Sequence, residues 1–442
     1  MIMSELYSLC YIYFSTPASE QKFLNKSVDN KYCGFFKGSL LFFAKFFYLL
    51  FKSPKSFRKL GIENCLLFFA ESRNNQLALA PIIKSLDPSV TLSITSPLSY
   101  PSWKQYMYAI PQIVTLIQDY RHASENDKKT IRFFFAKVWR SYGCRPLASD
   151  IMDFYKPKLV VLANDHLPLN RAIMLEANSR NIPTMYVQHA AVTNRFPPLC
   201  YTYSFLDGLD SFEKYKSAGL VKGNIILSGG VRFDDICRYK SESERICIGV
   251  SLNSVDDTSR VQLLCLSLKE HYSQVGYKII LRPHPGLPQD NWQRWCNDNG
   301  IMFSDARKEP SFEYLSKLRV MVSNQSSIHL DAAMCHTPSV VYELASVPQN
   351  DFYSFMKEGL VSKCNTMNEL FEFIDNSSSY SFNTEAIRFF NSSFHSEFEG
   401  QVSKLIKEII ETINSGLSID DVTMKYSFKK EICDTYNLFS VQ

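Results

Sequence analysis

Short apolar runs recur along most of this chain, each followed by a polar turn and then a segment of helical spacing. Ile62–Ala70, Val90–Thr95, Leu159–Ala163 and Pro183–Gln188 make one cycle, and Asn224–Ser228, Ile246–Leu252, Tyr277–Leu281, Arg319–Ser323 and Ser339–Tyr342 a second. A strand that is apolar without alternation is covered on both faces, and strand–helix alternation demands crossover units and a parallel sheet. Helices are predicted over 77–86, 128–142, 146–156, 169–180 and 258–272. A chain of 442 residues exceeds one ordinary core. The pattern therefore predicts an α/β protein of two doubly wound Rossmann-like lobes with parallel sheets and a cleft between them. The expected division is a basic aromatic segment 1–60, an acceptor-side lobe 61–220, a donor-binding lobe 221–395 and a C-terminal helical segment 396–442.

Composition narrows the function classes. A net charge of +4 over this length gives no mandate for nucleic acid. The 12 cysteines are scattered with no CxxC pair, which speaks against zinc ribbons and thioredoxin-like sites and for a reducing compartment. The start of the chain lacks a signal-peptide pattern. The longest apolar stretch, Ser39–Phe51, is interrupted by Lys45 and falls short of the roughly 20 residues a membrane span needs. A cytoplasmic protein is expected. Residues 20–59 carry nine lysines and arginines against Glu20 and Asp29, a local excess of +7. An aromatic helix among lysines suits a peripheral position on an anionic membrane surface, and equally a helix packed on the first lobe with its lysines in water.

In parallel sheets ligands bind beyond the carboxyl ends of the strands, and three motifs fall there. Arg282-Pro283-His284-Pro285-Gly286 holds an imidazole in a stiff loop beside a guanidinium fork suited to phosphate. A plain surface turn is the alternative. Ser323-Asn324-Gln325-Ser326-Ser327 ends a strand and opens a helix, with Ser326 or Ser327 as N-cap and the helix start as an anion site. An ordinary cap would account for one of those serines. Gln188-His189 closes a buried strand ahead of a loop with Arg195, so His189 is a candidate base, against the alternative of a satisfied core histidine. Asp165, in Asn164-Asp165-His166, is a second candidate base toward an acceptor hydroxyl. Arg73 and Asn74, beside Glu71, are placed for an acceptor, Gly230 for close approach of a phosphate, and Glu343 for a ribose. His271, His329, His336 and His395 read as structural or surface residues.

No P-loop, dinucleotide fingerprint, HExxH or GxSxG element occurs, which argues against the enzyme classes they mark. No metal and no cofactor are expected; Asp256-Asp257 is the nearest approach to a metal motif.

The order of Gln188-His189, His284-Pro285 and Ser326-Ser327 resembles the GT-B superfamily over roughly residues 160–345. It is most similar to the branch holding CDP-glycerol glycerophosphotransferases, polysialyltransferases and Kdo transferases. The resemblance implies that His284-Pro285 and Ser326-Ser327 contact donor phosphate. It places His189 where that branch has a His-Gly, although Ala190 stands where the glycine would be. It further implies a metal-independent glycosyl- or phosphopolyol transferase using a CMP- or CDP-linked donor in bacterial capsular or lipopolysaccharide synthesis. The partners would be that nucleotide-sugar donor, a glycan or lipid-linked acceptor and the inner face of the membrane, and no nucleic acid. The layout also resembles the non-hydrolysing UDP-N-acetylglucosamine 2-epimerases, although the Ser-Gly-Gly and paired glutamates of that group are missing. An inactive GT-B scaffold of a capsule assembly complex is the third reading.

Overall fold

Strands without polar side chains on either face need helices above and below them, and this chain supplies both layers. The computed structural model describes residues 2–15, 34–58, 64–193, 195–239 and 245–440. They form two compact units: the chain up to Arg232 together with the stretch from Ser396 onward, and Phe233–His395.

The first unit is built on β1 (Leu66–Phe69), β2 (Thr91–Ile94), β3 (Leu159–Leu162), β4 (Thr184–Val187), β5 (Tyr203–Leu206) and β6 (Gly223–Leu227). The tail adds two strands, β13 (Lys429–Ile432) and β14 (Tyr436–Ser440). The order across the sheet is β13-β14-β6-β5-β4-β3-β1-β2. Every pairing is parallel except β13 with β14. Successive residues of a strand point to opposite faces, so β1 splits between two cores. Leu67 and Phe69 pack with the helices Cys144–Tyr155 and Pro168–Ser179. Leu66 and Phe68 pack with Arg73–Ser85 and Val402–Asn414.

The second unit holds β7 (Cys247–Ser251), β8 (Lys278–Arg282), β9 (Met302–Phe303), β10 (Leu318–Ser323), β11 (Ser339–Tyr342) and β12 (Ser362–Cys364). They are all parallel, in the order β12-β11-β10-β7-β8-β9. The helix Thr258–Tyr272 begins where predicted because Asp257 caps it, accepting the N–H groups of Ser259 and Arg260 at 3.0 and 3.1 Å.

Three expectations need correction. The first unit runs to Arg232 and not to residue 220, because β6 pairs with β5 and completes the first sheet. The stretch from Ser396 is not a separate helical segment: its helix covers one sheet face, and β14 lies parallel to β6. The helix expected over 128–142 is two, Glu125–Phe133 and Phe135–Ser141, broken at Phe134. Of the basic segment, residues 1, 16–33 and 59–60 lie outside the described residues. The rest contains the helix Phe35–Lys52, whose buried face is Gly38, Phe42 and Leu49. Among the described residues no helix is long and apolar enough to cross a membrane.

Candidate functional site

The carboxyl ends of β3, β4, β5 and β6 bring together a polar cluster within the first unit. β3 runs into Asn164-Asp165-His166, and the Asn164 side chain fixes that turn by accepting the N–H groups of His166 and Leu167 at 3.2 and 2.8 Å. Asp165 is only 1% exposed, and both its carboxylate oxygens are engaged. Oδ1 lies 3.0 Å from Nδ1 of His166, and Oδ2 accepts the Tyr215 hydroxyl at 2.6 Å. Burial alone would push this carboxyl up. The bonds from His166 and Tyr215, with His189 nearby, outweigh it and hold the group below the usual carboxylate range. Burial and the charge on Asp165 drive the Tyr215 phenol well above 10, so it stays a donor.

An imidazole that gives its Nδ1 proton to a carboxylate presents a basic Nε2, and His166 is in that arrangement. Its Nε2 lies 3.5 Å from the Asn164 amide nitrogen, and its ring meets Phe196 at 4.6 Å and His189 at 6.1 Å. The turn after β4 is held by Gln188, which donates to the Ala190 carbonyl at 2.9 Å and accepts the Asp207 N–H at 2.9 Å. His189 follows, half-buried, its Nδ1 buried and without a hydrogen-bond partner. Burial lowers its pKa to about 4 against the pull of Asp165, so the ring is neutral at neutral pH. Arg232 closes the cluster, 3.5 Å from Asp207.

In the second unit the ends of β7, β10 and β11 converge on Asn324. This fully buried amide donates to Asp256 at 3.0 Å and to Glu343 at 3.1 Å, and its oxygen accepts the Gln325 N–H at 2.8 Å. Burial raises the Asp256 carboxyl to about 6, with the charge of Glu343 adding to the rise. Glu343 also accepts the N–H groups of Ala345 and Gln349, both at 3.1 Å. Beside it, Arg260, Leu263, Tyr342, Asn365 and Met367 help to line a cavity of about 400 Å³. After β8, Nδ1 of His284 accepts the Gly286 N–H at 3.1 Å, which leaves Nε2–H as an outward donor on an exposed loop. Arg307 pins that loop, donating to the Pro285 and Leu287 carbonyls at 3.0 Å each.

Against the sequence expectations, the structure gathers Asp165 and His189 in one cluster, with Gly230 buried at the end of β6. Asp165 cannot take a proton from an acceptor, because its oxygens are buried and occupied. The sequence pattern passed over His166, whose signal was its place directly after the strand-end aspartate. Asn324 and Glu343 meet, joined by Asp256. Arg282 does not face open space: it donates to Ser304 at 2.7 Å and to the Glu309 carbonyl at 2.8 Å, over the Tyr314 ring. Ser327 has helical backbone and its side chain caps nothing. The helix that follows, Ile328–Met334, spends the N–H groups of His329 and Leu330 on the Ser326 and Ser327 carbonyls, so fewer free donors remain than the motif suggests. His329 is a satisfied core residue, bonded at 3.1 Å to both Ser339 and the Asn324 carbonyl. Arg73 and Asn74 are exposed, and their neighbour Asn75 is the buried one, its amide without a partner. Arg195 lies half-buried on the loop after His189, its carbonyl accepting from Ser15 at 2.8 Å.

Two helix-covered Rossmann-like units, each built on a mainly parallel sheet, give the chain the GT-B fold. No family model matches it, and no curated protein matches it by sequence. Among solved structures it is similar to the UDP-GlcNAc 2-epimerase of Neisseria meningitidis bound to UDP-GlcNAc. That likeness has a TM-score of 0.51 and 13% identity, over 79% of this chain and 99% of the other. It is also similar to MnaA of S. aureus with UDP, at a TM-score of 0.50 and 10% identity, over 80% of this chain and 97% of the other. The wall teichoic acid polymerase TagF aligns at a TM-score of 0.48 and 12% identity, over 88% of this chain and 98% of its own, too slight a likeness to weigh. At these identities the likenesses establish the fold and nothing finer.

Proposed function

We propose that this chain is a transferase that moves a glycosyl or phosphopolyol group from a CMP- or CDP-linked donor to a glycan or lipid-linked glycan acceptor, in the synthesis of a bacterial capsular or lipopolysaccharide polymer. The observation that carries the reading is the Asp165–His166 pair at the carboxyl edge of the first sheet. A general base needs an orienting partner, and Asp165, buried and itself held by Tyr215, stands in that relation to His166. In this scheme His166 Nε2 takes the proton of the acceptor hydroxyl and the acceptor oxygen bonds to the transferred group. The bond from that group to the nucleotide phosphate breaks, and the nucleotide leaves with the electron pair. Asp165 is a positioning residue. His189, neutral and with Nδ1 unengaged, stands beside the base as a polar contact for the reacting group.

The second unit supplies the nucleotide contacts. His284 offers Nε2–H to a phosphate oxygen, and Glu343, beside the cavity, suits a ribose hydroxyl. Ser326 and Ser327 stay in the scheme as hydroxyl donors at the end of β10. Arg282 supports this loop through Ser304 and Glu309 and does not touch the donor. The shared fold with proteins whose structures hold UDP and UDP-GlcNAc supports a nucleotide ligand.

The test is release of nucleotide from CMP- and CDP-linked donors in the presence of envelope glycans. His166→Gln is expected to lower kcat by about 10²–10⁴-fold with donor KM little changed. Turnover like that of the unaltered chain would remove His166 from the chemistry. Interconversion of a UDP-sugar without acceptor would reveal an epimerase instead.

A further inference from the structure

The helix Phe35–Lys52 has two faces of different character. Its inner face is tied to the first unit: Phe42 stacks on Trp139 at 3.9 Å and meets Tyr106 at 5.0 Å. Gly38 lies so close to Phe135 that a Cβ there would come within 2.7 Å of the ring. The helix is thus clamped flat along the unit, and its other side cannot turn inward.

That other side is apolar. Phe36, Leu40, Phe43, Phe47 and Phe51 recur at spacings of four, three, four and four, which a period of 3.6 places on one line. Phe36 is 85% exposed, Phe51 77% and Leu40 63%. Isolated exposed apolar residues need no explanation, but an unbroken stripe along the whole length of a helix does. Lys37, Lys45 and Lys52, at spacings of eight and seven, form a second line beside the stripe. Lys45 reaches over Tyr48 at 4.7 Å, keeping its charge next to the aromatic band. From Asn30 to Ile62 the chain has no acidic residue, while Lys55 and Arg58 extend the positive charge past the helix end.

We infer that this face docks on the surface of an anionic lipid bilayer. The stripe enters the boundary between headgroups and acyl chains, and the lysine line lies against lipid phosphates. A fluid bilayer accepts a row of bulky, unpaired phenylalanines without a shape-matched groove. The lysines call for negative charge along the full helix, which an anionic leaflet supplies at every point. Both features select lipid over a second copy of this basic helix, which would place lysine against lysine. The inference is independent of the transferase reading and stands or falls without it.

Flotation of the full chain with vesicles of phosphatidylcholine, with and without phosphatidylglycerol, tests it. The chain is expected to float with the anionic vesicles, to do so at least tenfold less with neutral ones, and to be released by salt. The triple variant Phe36→Ser, Phe47→Ser, Phe51→Ser is expected to lose flotation while keeping its circular dichroism and thermal midpoint, since these side chains are exposed. Lys37→Gln, Lys45→Gln, Lys52→Gln is expected to lose the preference for anionic vesicles. Absence of flotation with the anionic vesicles, or flotation undiminished in the first variant, overturns the inference. So does a solution dimer of the unaltered chain that the first variant converts to monomer, because the face would then belong to a second copy.

Discussion

At the scale of single residues, environment decides which of several strand-end polar groups can act. Asp165 and His189 each follow an apolar strand, and both looked like bases. Burial with full hydrogen bonding turns the aspartate into an anchor, and burial makes the histidine a weak base. His189 gives a pH prediction. Its pKa falls from an ordinary 6.5 to about 4 on folding, so the unfolded chain takes up a proton that the folded chain refuses. Stability from this residue is therefore present above 6.5 and lost as pH falls toward 4. Urea midpoints at neutral and acid pH are expected to show a loss of about 1–2 kcal/mol that His189→Gln removes, below the full shift because the ring is half-buried. An unchanged pH dependence in the variant would place the ring in water. His166 and His189 both lie a few residues past a strand, and what separates them is that Asp165, next to His166 in sequence, is held in place by Tyr215 from a distant segment.

At the scale of elements, the legible parts were those whose signal is local. Continuous apolar runs gave β1, β3 and β4 their places. β13 was not legible, because Lys429, Lys430, Glu431 and Ile432 are all exposed and the strand pairs only with β14 at the sheet edge. The Ser326-Ser327 cap misled because the backbone turns through helical geometry before the helix starts. Close packing between elements is equally invisible in sequence. At Gly143, before the helix Cys144–Tyr155, a Cβ would sit 1.8 Å from the Gln105 carbonyl oxygen. Gly143→Ala is expected to cost about 3 kcal/mol in denaturant unfolding, through displaced backbone. Gly34→Ala, with nothing within 4 Å, is expected to stay within about 0.5 kcal/mol. Equal effects would mean that the helix start at Gly143 yields freely.

At the scale of the molecule, the first unit is discontinuous, and this no local pattern announces. The chain leaves it after Arg232 and returns at Ser396 to lay Val402, Leu405, Ile406, Ile409 and Ile410 on a sheet face. A chain ending at residue 395 is expected to lose slow hydrogen exchange throughout the first sheet while β7, β8 and β10 keep theirs. Protection retained in β1 and β3 would show that the returning helix is dispensable. The two-sheet plan was legible because each sheet repeats the same strand–helix grammar; the return was not, because helix Val402–Asn414 reads alike wherever it packs.

Thermal shift with CMP, CDP, UDP and GDP tests the proposed binding of a nucleotide-activated donor to the second unit. A cytidine nucleotide is expected to raise the midpoint, the rise to vanish in His284→Ala, and His166→Gln to retain it. No shift with any nucleotide, or a shift indifferent to His284→Ala, would contradict it.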